Sequence, residues 1–472
     1  MLAGCALAHG KASVASGASQ AAAEQSVQND TYDVQRKILG GVREHCCVRV
    51  LACTWNMAGQ PPPTAETLWQ CGVVPHPSGA RHHVVAFGTQ ECERSIQASA
   101  FNPSKAAWET VLQEALGPSY RAVSASNLQS THLIIFVHAA LLPAIGDVQA
   151  GAVARGLQGT LGSKGGVAVG FSLGNTSMLF LCCHLCAGEA PTDAAKRNAD
   201  ANAIDRGLDL CPAGAPPSVR GRSRCSSRYD RCVVLGDLNY RVRMPRAKAE
   251  EVLATGDLAR LAGADELRRD MRRRLVFEGF GEAPLLFRPT YKLDREGIAF
   301  ESHQAGKLIL QRDAAWRGAT TDVMGGRTEG QGKGKRQGSG EGEMGVVSHD
   351  GPATRLVYQK HATSLPSTQS TRAWPGPYDS SKKQRVPSWT DRVLVKPPNS
   401  HMHPVGYYAV WTALGLSDHV PVHAHVSVRL RTQGTARADR VDAMHAAWRA
   451  VGRPWLPHEA HQGTRRWVLA AR

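Results

Sequence analysis

Short β-rich runs recur along this chain: VRVLACTW, HVVAFGTQ, THLIIFVH, GVAVGFSL, SMLFLCCH, CVVLGD, DRVLVK and VPVHAHVSV. Helix-like stretches intervene, notably SKAAWETVLQEALG (104–117) and DELRRDMRRRLVFEG (265–279). Strands and helices mixed in this way over roughly 380 residues require one α/β domain with packed sheets. The 472 residues contain neither an internal repeat nor a heptad pattern. They have room for two to three average domains, or for one large domain with appendages.

The flanks differ from this body. Residues 1–45 are rich in Ala, Ser and Gly and read as a disordered leader, with no apolar core of a signal peptide. The domain is expected over 46–428. Within it, about 299–370 includes GGRTEGQGKGKRQGSGEGEMG, whose composition cannot offset the entropy of ordering, so it reads as a low-complexity insertion. Residues 210–227, LCPAGAPPSVRGRSRCSS, read as a polar loop. The tail, 429–472, carries nine arginines against three acidic residues and reads as a basic, partly disordered end.

Hydrophobic content of 42% is enough for a sizeable core, and no apolar run is long enough to span a bilayer. A net charge of +16 calls for an anionic partner without choosing among nucleic acid, anionic membrane and polyphosphate. The 12 cysteines lack framework spacing and several lie in apolar runs, which fits a reducing, cytoplasmic setting. LCCHLC (181–186) invites a zinc reading, but no second pair follows at finger spacing.

Several of the strand-like runs end in polar residues. Residues 233–242 read VVLGDLNYRV, and in extended chain Asp237 and Asn239 would point to the same face. Gly-Asp and Asn are also ordinary turn residues, so a plain turn is the alternative. Elsewhere Thr54-Trp55-Asn56, Thr89-Gln90-Glu91, His184 at the end of SMLFLCCH, and Ser417-Asp418-His419 repeat the pattern. Acid, amide and imidazole at five such places fit metal-assisted phosphoester hydrolysis. Hard oxygen ligands suit Mg²⁺, a carboxylate can take a proton from the attacking water, and amide or imidazole donors can hold phosphoryl oxygens.

TWNMAGQ, TQE, SKGGVAV, CHLCAGE with AKRNAD, GDLNYRV, FRPTYKLD, RVPSWTDRVL and SDHVPV stand in this order between about 48 and 428. In these motifs the chain resembles the inositol polyphosphate 5-phosphatases of the exonuclease–endonuclease–phosphatase superfamily. GDLN and SDH are shared across that superfamily, whereas PTYK followed by K-x-RVPSWTDR is close to diagnostic for the 5-phosphatases. The resemblance implies a DNase I-like four-layer α/β sandwich, with two packed central β-sheets, outer helices and the site at one sheet edge.

It also implies roles. Glu91 would be the main Mg²⁺ ligand with Asn56 beside it, and Asp418 would complete the metal side. Asp237 would activate water, with Asn239 holding water or phosphate. His184 and His419 would donate to the scissile 5-phosphate, and Asp391 would orient and charge His419. Tyr291, Lys292, Lys383 and Arg385 match a clamp for the neighbouring 4-phosphate, where Lys and Arg neutralise a dianion. Lys164 would face the 1-phosphate from a Gly-rich loop. Ser163, Cys183, Thr89 and Thr390 depart from the family's usual Asn, Ser, Leu and Cys.

The expected activity is Mg²⁺-dependent removal of the 5-phosphate from phosphoinositide lipids or soluble inositol polyphosphates by a monomer, with peripheral contact to anionic membranes and no nucleic-acid partner. Two alternatives stand beside it: a nuclease of the same superfamily, and a phosphoinositide-binding module that has lost catalysis.

Overall fold

The structure, a computed structural model, describes residues 47–76, 82–93, 99, 104–155, 164–294, 378–397 and 401–431. The leader, the 299–370 segment, Ser163 and nearly all of the tail lie outside these residues. Two sheets form the centre. One has the strand order β10-β11-β1-β2-β4-β3 and the other β5-β6-β7-β8-β9. In the first sheet the strands are β1 (Cys47–Asn56), β2 (Val84–Gln90), β3 (Tyr120–Leu128), β4 (Thr131–His138), β10 (Met402–Ala409) and β11 (Val422–Arg429). In the second they are β5 (Ile145–Arg155), β6 (Lys164–Leu173), β7 (Thr176–His184), β8 (Arg231–Asp237) and β9 (Asp391–Lys396). Each sheet has one parallel pair, β1 with β2 and β7 with β8. The remaining neighbours run antiparallel.

The central strands read as continuous apolar runs because both of their faces are covered. Along β1, Val50 and Ala52 join the core between the sheets, packing with Val167, Phe180, Val233 and Leu235. The alternate residues Leu51, Cys53 and Trp55 face outward onto Trp108 and Leu112 of helix α2 (Ala106–Leu116) and Leu68 of α1 (Ala65–Gln70). On the far side, Leu179, Leu181, Cys183 and Val234 of the second sheet pack on Ala201 and Ile204 of α3 (Asp193–Gly207) and on Leu267. This alternation makes the chain a four-layer α/β sandwich, as its motifs imply. A fourth cluster gathers Trp389, Tyr378 and Trp411 around α4 (Arg246–Thr255) and α5 (Leu258–Gly263).

Three strands absent from the apolar runs, β3, β5 and β10, are all edge strands. Half-exposed residues dominate β5 and β10, and every second position or so of β3 is open. Their apolar signal is accordingly weak. The helix expected over 265–279 stops early, as α6 (Glu266–Arg272). Arg274 takes a left-handed φ of 58°, and the Leu275 N–H donates back to the Asp270 carbonyl at 3.0 Å, a helix stop of the Schellman type. The chain then turns so that Val276 and Phe277 reach the outer core. Residues 210–227 are loop apart from single turns at Pro217–Arg220 and Cys225–Ser227. Among the described residues no disulfide joins two cysteines, and no helix is long and apolar enough to cross a membrane.

Candidate active site

The inner faces of the central strands are apolar for most of their length and turn polar at one end. Along β8, Val233 and Leu235 point into the inter-sheet core. The next residue on that face is Asp237. By the same two-residue step, Cys182 of β7 is followed by His184, Val393 of β9 is preceded by Asp391, and Ala52 of β1 leads through Thr54 to Asn56. Register does the rest. Gly165, His184, Asp237 and Asp391 form one row across β6, β7, β8 and β9. In the first sheet Asn56 lies opposite Gln90, so the Asn56 amide and Glu91, the first residue beyond β2, cap the same end. The site is a polar lid on the inter-sheet core, built at the strand ends.

Asp237 and Asn239 do not converge by the extended geometry expected of them. The strand ends at Asp237, and Asn239 is left-handed with φ 59°. The Asp237 carboxylate accepts the Asn239 backbone N–H at 3.0 Å, an Asx turn, so GDLN is both a turn and part of the cluster. Glu91 is left-handed too, at φ 48°. Such conformations cost non-glycine residues about 1–3 kcal/mol each and cluster at functional sites. Gly236 is required: a Cβ there would meet the Cys183 carbonyl at 2.0 Å, at a φ of 140°. Gly165 is similar, since a Cβ would lie 2.3 Å from the Val153 carbonyl.

The candidate centre is compact. Asn56 Nδ2 donates to Asp237 Oδ2 at 3.0 Å, while Asn56 Oδ1 accepts the Ala58 N–H. His184 Nε2 lies 3.4 Å from Asp237 Oδ2, 4.0 Å from Glu91 Oε1 and against Lys164 Nζ. His184 Nδ1 is buried with no hydrogen-bond partner among the described residues. Lys164 is therefore inside this cluster. Asn239 is tied at both ends of its amide, Nδ2 donating to the Leu185 carbonyl at 3.1 Å and Oδ1 accepting from Arg241 at 2.6 Å. Asp391 accepts from His419 Nδ1 at 2.9 Å, from Thr290 at 2.7 Å and from Thr390 at 3.0 Å. Thr390, where the family usually has Cys, so adds a hydrogen bond to this carboxylate.

The charges divide the two histidines. Burial, then the neighbouring Lys164 charge, lowers the pKa of His184, against the pull of Asp237. Burial acts against the charged form of His419 as well, but Asp391, with Asp237 and Asp418, raises it to about 9. His419 is thus an imidazolium at neutral pH and a donor from both ring nitrogens. Burial works against ionised Asp237, yet His184, His419 and Lys164 together bring its pKa well below the usual carboxylate range.

The clamp residues sit beside this centre. Tyr291 pairs with Ser388 in an isolated antiparallel bridge, and its ring lies 4.3 Å from that of His419. Lys292 forms an ion pair with Asp418, joining a residue expected on the 4-phosphate to one expected on the metal side. Arg385 is held by Asp379 at 2.9 Å, and Lys383 is exposed on the same turn. Arg241 escaped the sequence reading. It is buried, donates to Asn239, and lies 4.7 Å over the Tyr291 ring. Its position two residues beyond Asn239 in GDLNYRV was the available signal. Ser417 also does more than its motif indicates: its hydroxyl donates to the Asn56 carbonyl at 2.7 Å and accepts the His419 N–H.

For a metal, strand alternation disposes of the zinc reading: Cys183 faces the outer core, away from His184. Among the described residues no three His, Cys, Asp or Glu side chains form a ready-made metal cage. Glu91, Asn56 and Asp237 offer a sparse set of hard oxygens. That set fits Mg²⁺, which keeps several waters and takes few protein ligands.

The strand-end cluster is a candidate phosphoesterase centre, and comparison with known proteins gives the family of the chain. The chain belongs to Endonuclease/Exonuclease/phosphatase family 2, whose profile matches residues 53–312 and 357–425. The stretch left out, 313–356, falls within the low-complexity segment. Several of the proteins that it is similar to are inositol polyphosphate 5-phosphatases. The type I inositol polyphosphate 5-phosphatase 1 of Arabidopsis thaliana is 35% identical over 201 residues, 42% of this chain and 33% of that protein. The inositol-1,4,5-trisphosphate 5-phosphatase 1 of Schizosaccharomyces pombe is 26% identical over 389 residues, 81% of this chain and 27% of that protein. The matched parts therefore span about a third or less of those relatives. The inositol polyphosphate 5-phosphatase domain of SPsynaptojanin, solved with inositol (1,4)-bisphosphate and calcium ion, matches with a TM-score of 0.55. Identity there is 22%, with 93% of this chain and 98% of that one covered, which establishes the fold.

Proposed function

We propose that this chain hydrolyses the 5-phosphate of phosphoinositide lipids or soluble inositol polyphosphates in a Mg²⁺-dependent reaction, through a catalytic domain spanning 46–428. The observation that carries the reading is the junction of two chemistries. A carboxylate–amide–imidazole centre, Asn56, Glu91, His184, Asp237 and His419, adjoins a basic clamp of Lys292 and Arg385 joined to it by the Tyr291–His419 ring contact. The curated relatives are 5-phosphatases by name, which supports the same substrate class.

In this reading Glu91 and Asn56 hold the ion, which when bound would polarise a phosphoryl oxygen as a Lewis acid. Asp237 stays ionised and accepts the proton of the attacking water. His419, kept charged by Asp391, donates to the phosphoryl oxygens as negative charge builds. Lys164 and His184 complete the donors around the reacting group. Lys292, Lys383 and Arg385 neutralise the 4-phosphate, and Arg385 adds a directed fork.

The test is phosphate release from a soluble 4,5-bisphosphorylated inositol headgroup with Mg²⁺, beside an EDTA arm and a plasmid-cleavage arm. Release that EDTA abolishes and an intact plasmid are expected. DNA cleavage without phosphate release would make the chain a nuclease. Headgroup binding without turnover would make it a binding module.

A further inference from the structure

The turn that carries Lys383 and Arg385 belongs to neither sheet. It lies between Tyr378 and β9. A basic pair on irregular chain would read a phosphate poorly unless something fixed it, and two side chains outside the motifs do so. Asp379 is fully buried. Its Oδ2 accepts both the Arg385 backbone N–H at 3.0 Å and the Arg385 guanidinium at 2.9 Å. Its Oδ1 accepts the Ser381 N–H at 3.2 Å, and its own N–H donates to the Lys292 carbonyl at 3.0 Å. One carboxylate thus closes the turn, holds the Arg385 head and registers both against Lys292.

Arg246, the first residue of α4, works from the other side. Its guanidinium donates to the carbonyls of Tyr378 at 2.9 Å, Asp379 at 3.4 Å and Arg385 at 2.5 Å. Glu250, one helical turn on, holds that guanidinium at 2.8 Å. The helix is anchored, with Ala249, Val252 and Leu253 in the same core as Trp389 and Tyr378. The turn is therefore tied to a packed helix through a single planar fork, which an ammonium could not replace. Arg385 remains about one-fifth exposed, so the fixed guanidinium still faces out.

We propose that Asp379 and Arg246 are positioning residues of the basic clamp and set the preference for a phosphate next to the scissile one. This deepens, and rests on, the function proposed above. Neither residue need touch the substrate. Both act by holding Arg385 and the turn bearing Lys383 at a set distance from Tyr291 and Lys292.

The experiment measures kcat/KM on two soluble inositol phosphates, one with 4- and 5-phosphates and one lacking the 4-phosphate, and takes their ratio. For wild type the ratio should favour the first. Asp379→Asn and, separately, Arg246→Met should each lower the ratio about tenfold, mainly through KM. Arg246→Lys should fail to restore it. A merely structural role would lower melting temperature and both activities together, leaving the ratio intact, and that result overturns the inference. Should Asp379→Asn not fold, the partly exposed Arg246 decides alone. A wild type that turns over both substrates without preference also overturns it. A wild type that turns over neither removes the proposed function and this inference together.

Discussion

Asp237 and His184 sit opposite each other on adjacent parallel strands of a buried sheet, whereas Lys292 and Arg385 lie on chain outside both sheets. The centre takes its geometry from the cores. Its side chains occupy the last inward positions of strands that packing already holds, so no separate scaffold is needed. The clamp has no strand ladder to rely on. It is held by two isolated bridges, Tyr291 with Ser388 and Leu293 with Tyr378, and by the bonds of Asp379 and Arg246. The difference suggests a division of labour. On the proposed function, chemistry would rest on the part of the fold that is hardest to deform, and selectivity on a part that local side-chain changes can adjust.

The strongest way to break this division is at the centre. Asp237→Asn should lower kcat about 10²–10⁴-fold, the usual worth of a lost general base. The substituted amide would also set an NH₂ against either the Asn56 amide or the Asn239 N–H, so a lower melting temperature should accompany the loss. Turnover within about threefold of wild type would exclude Asp237 from the mechanism.

At the clamp the effect should be smaller and substrate-dependent. Arg385→Ala should reduce kcat/KM about ten- to a hundredfold on a substrate bearing the 4-phosphate, from one charge-assisted contact of about 1.5–3 kcal/mol. The ratio to a substrate lacking that phosphate should collapse accordingly. Equal losses on both would make Arg385 structural and erase the contrast between the two regions.

A third test probes the sheet that carries Asn56 and Glu91. Burial lowers His83 and His423 to about 3 and His425 to about 4. His82, which contacts His425 at 2.9 Å, is lowered too, by burial and by the charges of His425 and Arg49. Neutral when folded, these imidazoles bind protons only on unfolding once pH drops below about 6.5. The stabilisation is therefore complete above that value and declines as pH falls toward the folded pKa values. The loss should be on the order of 1 kcal/mol per imidazole for each pH unit. Melting temperatures at pH 7 and 5.5 would measure it, and His425→Gln should flatten the slope. A pH-independent melting temperature would contradict the neutral cluster.

The smallest effect is expected from removing residues 299–370. Leu293 and Tyr378 are bridge partners and the Asp379 N–H donates to the Lys292 carbonyl, so the flanking chain ends already meet and a short loop suffices. Phosphate release should stay within about twofold of the full chain, and a folded but inactive shortened chain would show that this segment builds part of the site.

Much of the centre was legible because its signal is local. A buried strand that ends in Asp, Asn or His shows an abrupt change from apolar to polar within two residues, as in CVVLGDLN and SMLFLCCH. The motif PTYK and the later K-x-R likewise marked the basic residues beside the candidate centre. What escaped was of two kinds. Edge strands β3, β5 and β10 are half-open and lack an apolar run. Arg246 acts on the carbonyls of residues more than 130 positions away, which leaves no pattern in neighbouring residues, whereas Arg241 and Asp379 bond near neighbours and lie outside the residues that the motifs single out.

The class of fold, the residue types gathered at the candidate centre and the order of the motifs can all be read along the chain, because periodicity and side-chain type are properties of short stretches. Folding in three dimensions was needed to show that Asp237 reaches Asn239 through an Asx turn, that Lys164 lies against His184, and that Lys292 pairs with Asp418. The last two pairings join residues 20 and 126 positions apart. The first distance is set by strand register and the second by how the chain outside the sheets packs on them, and no short stretch of chain contains that information.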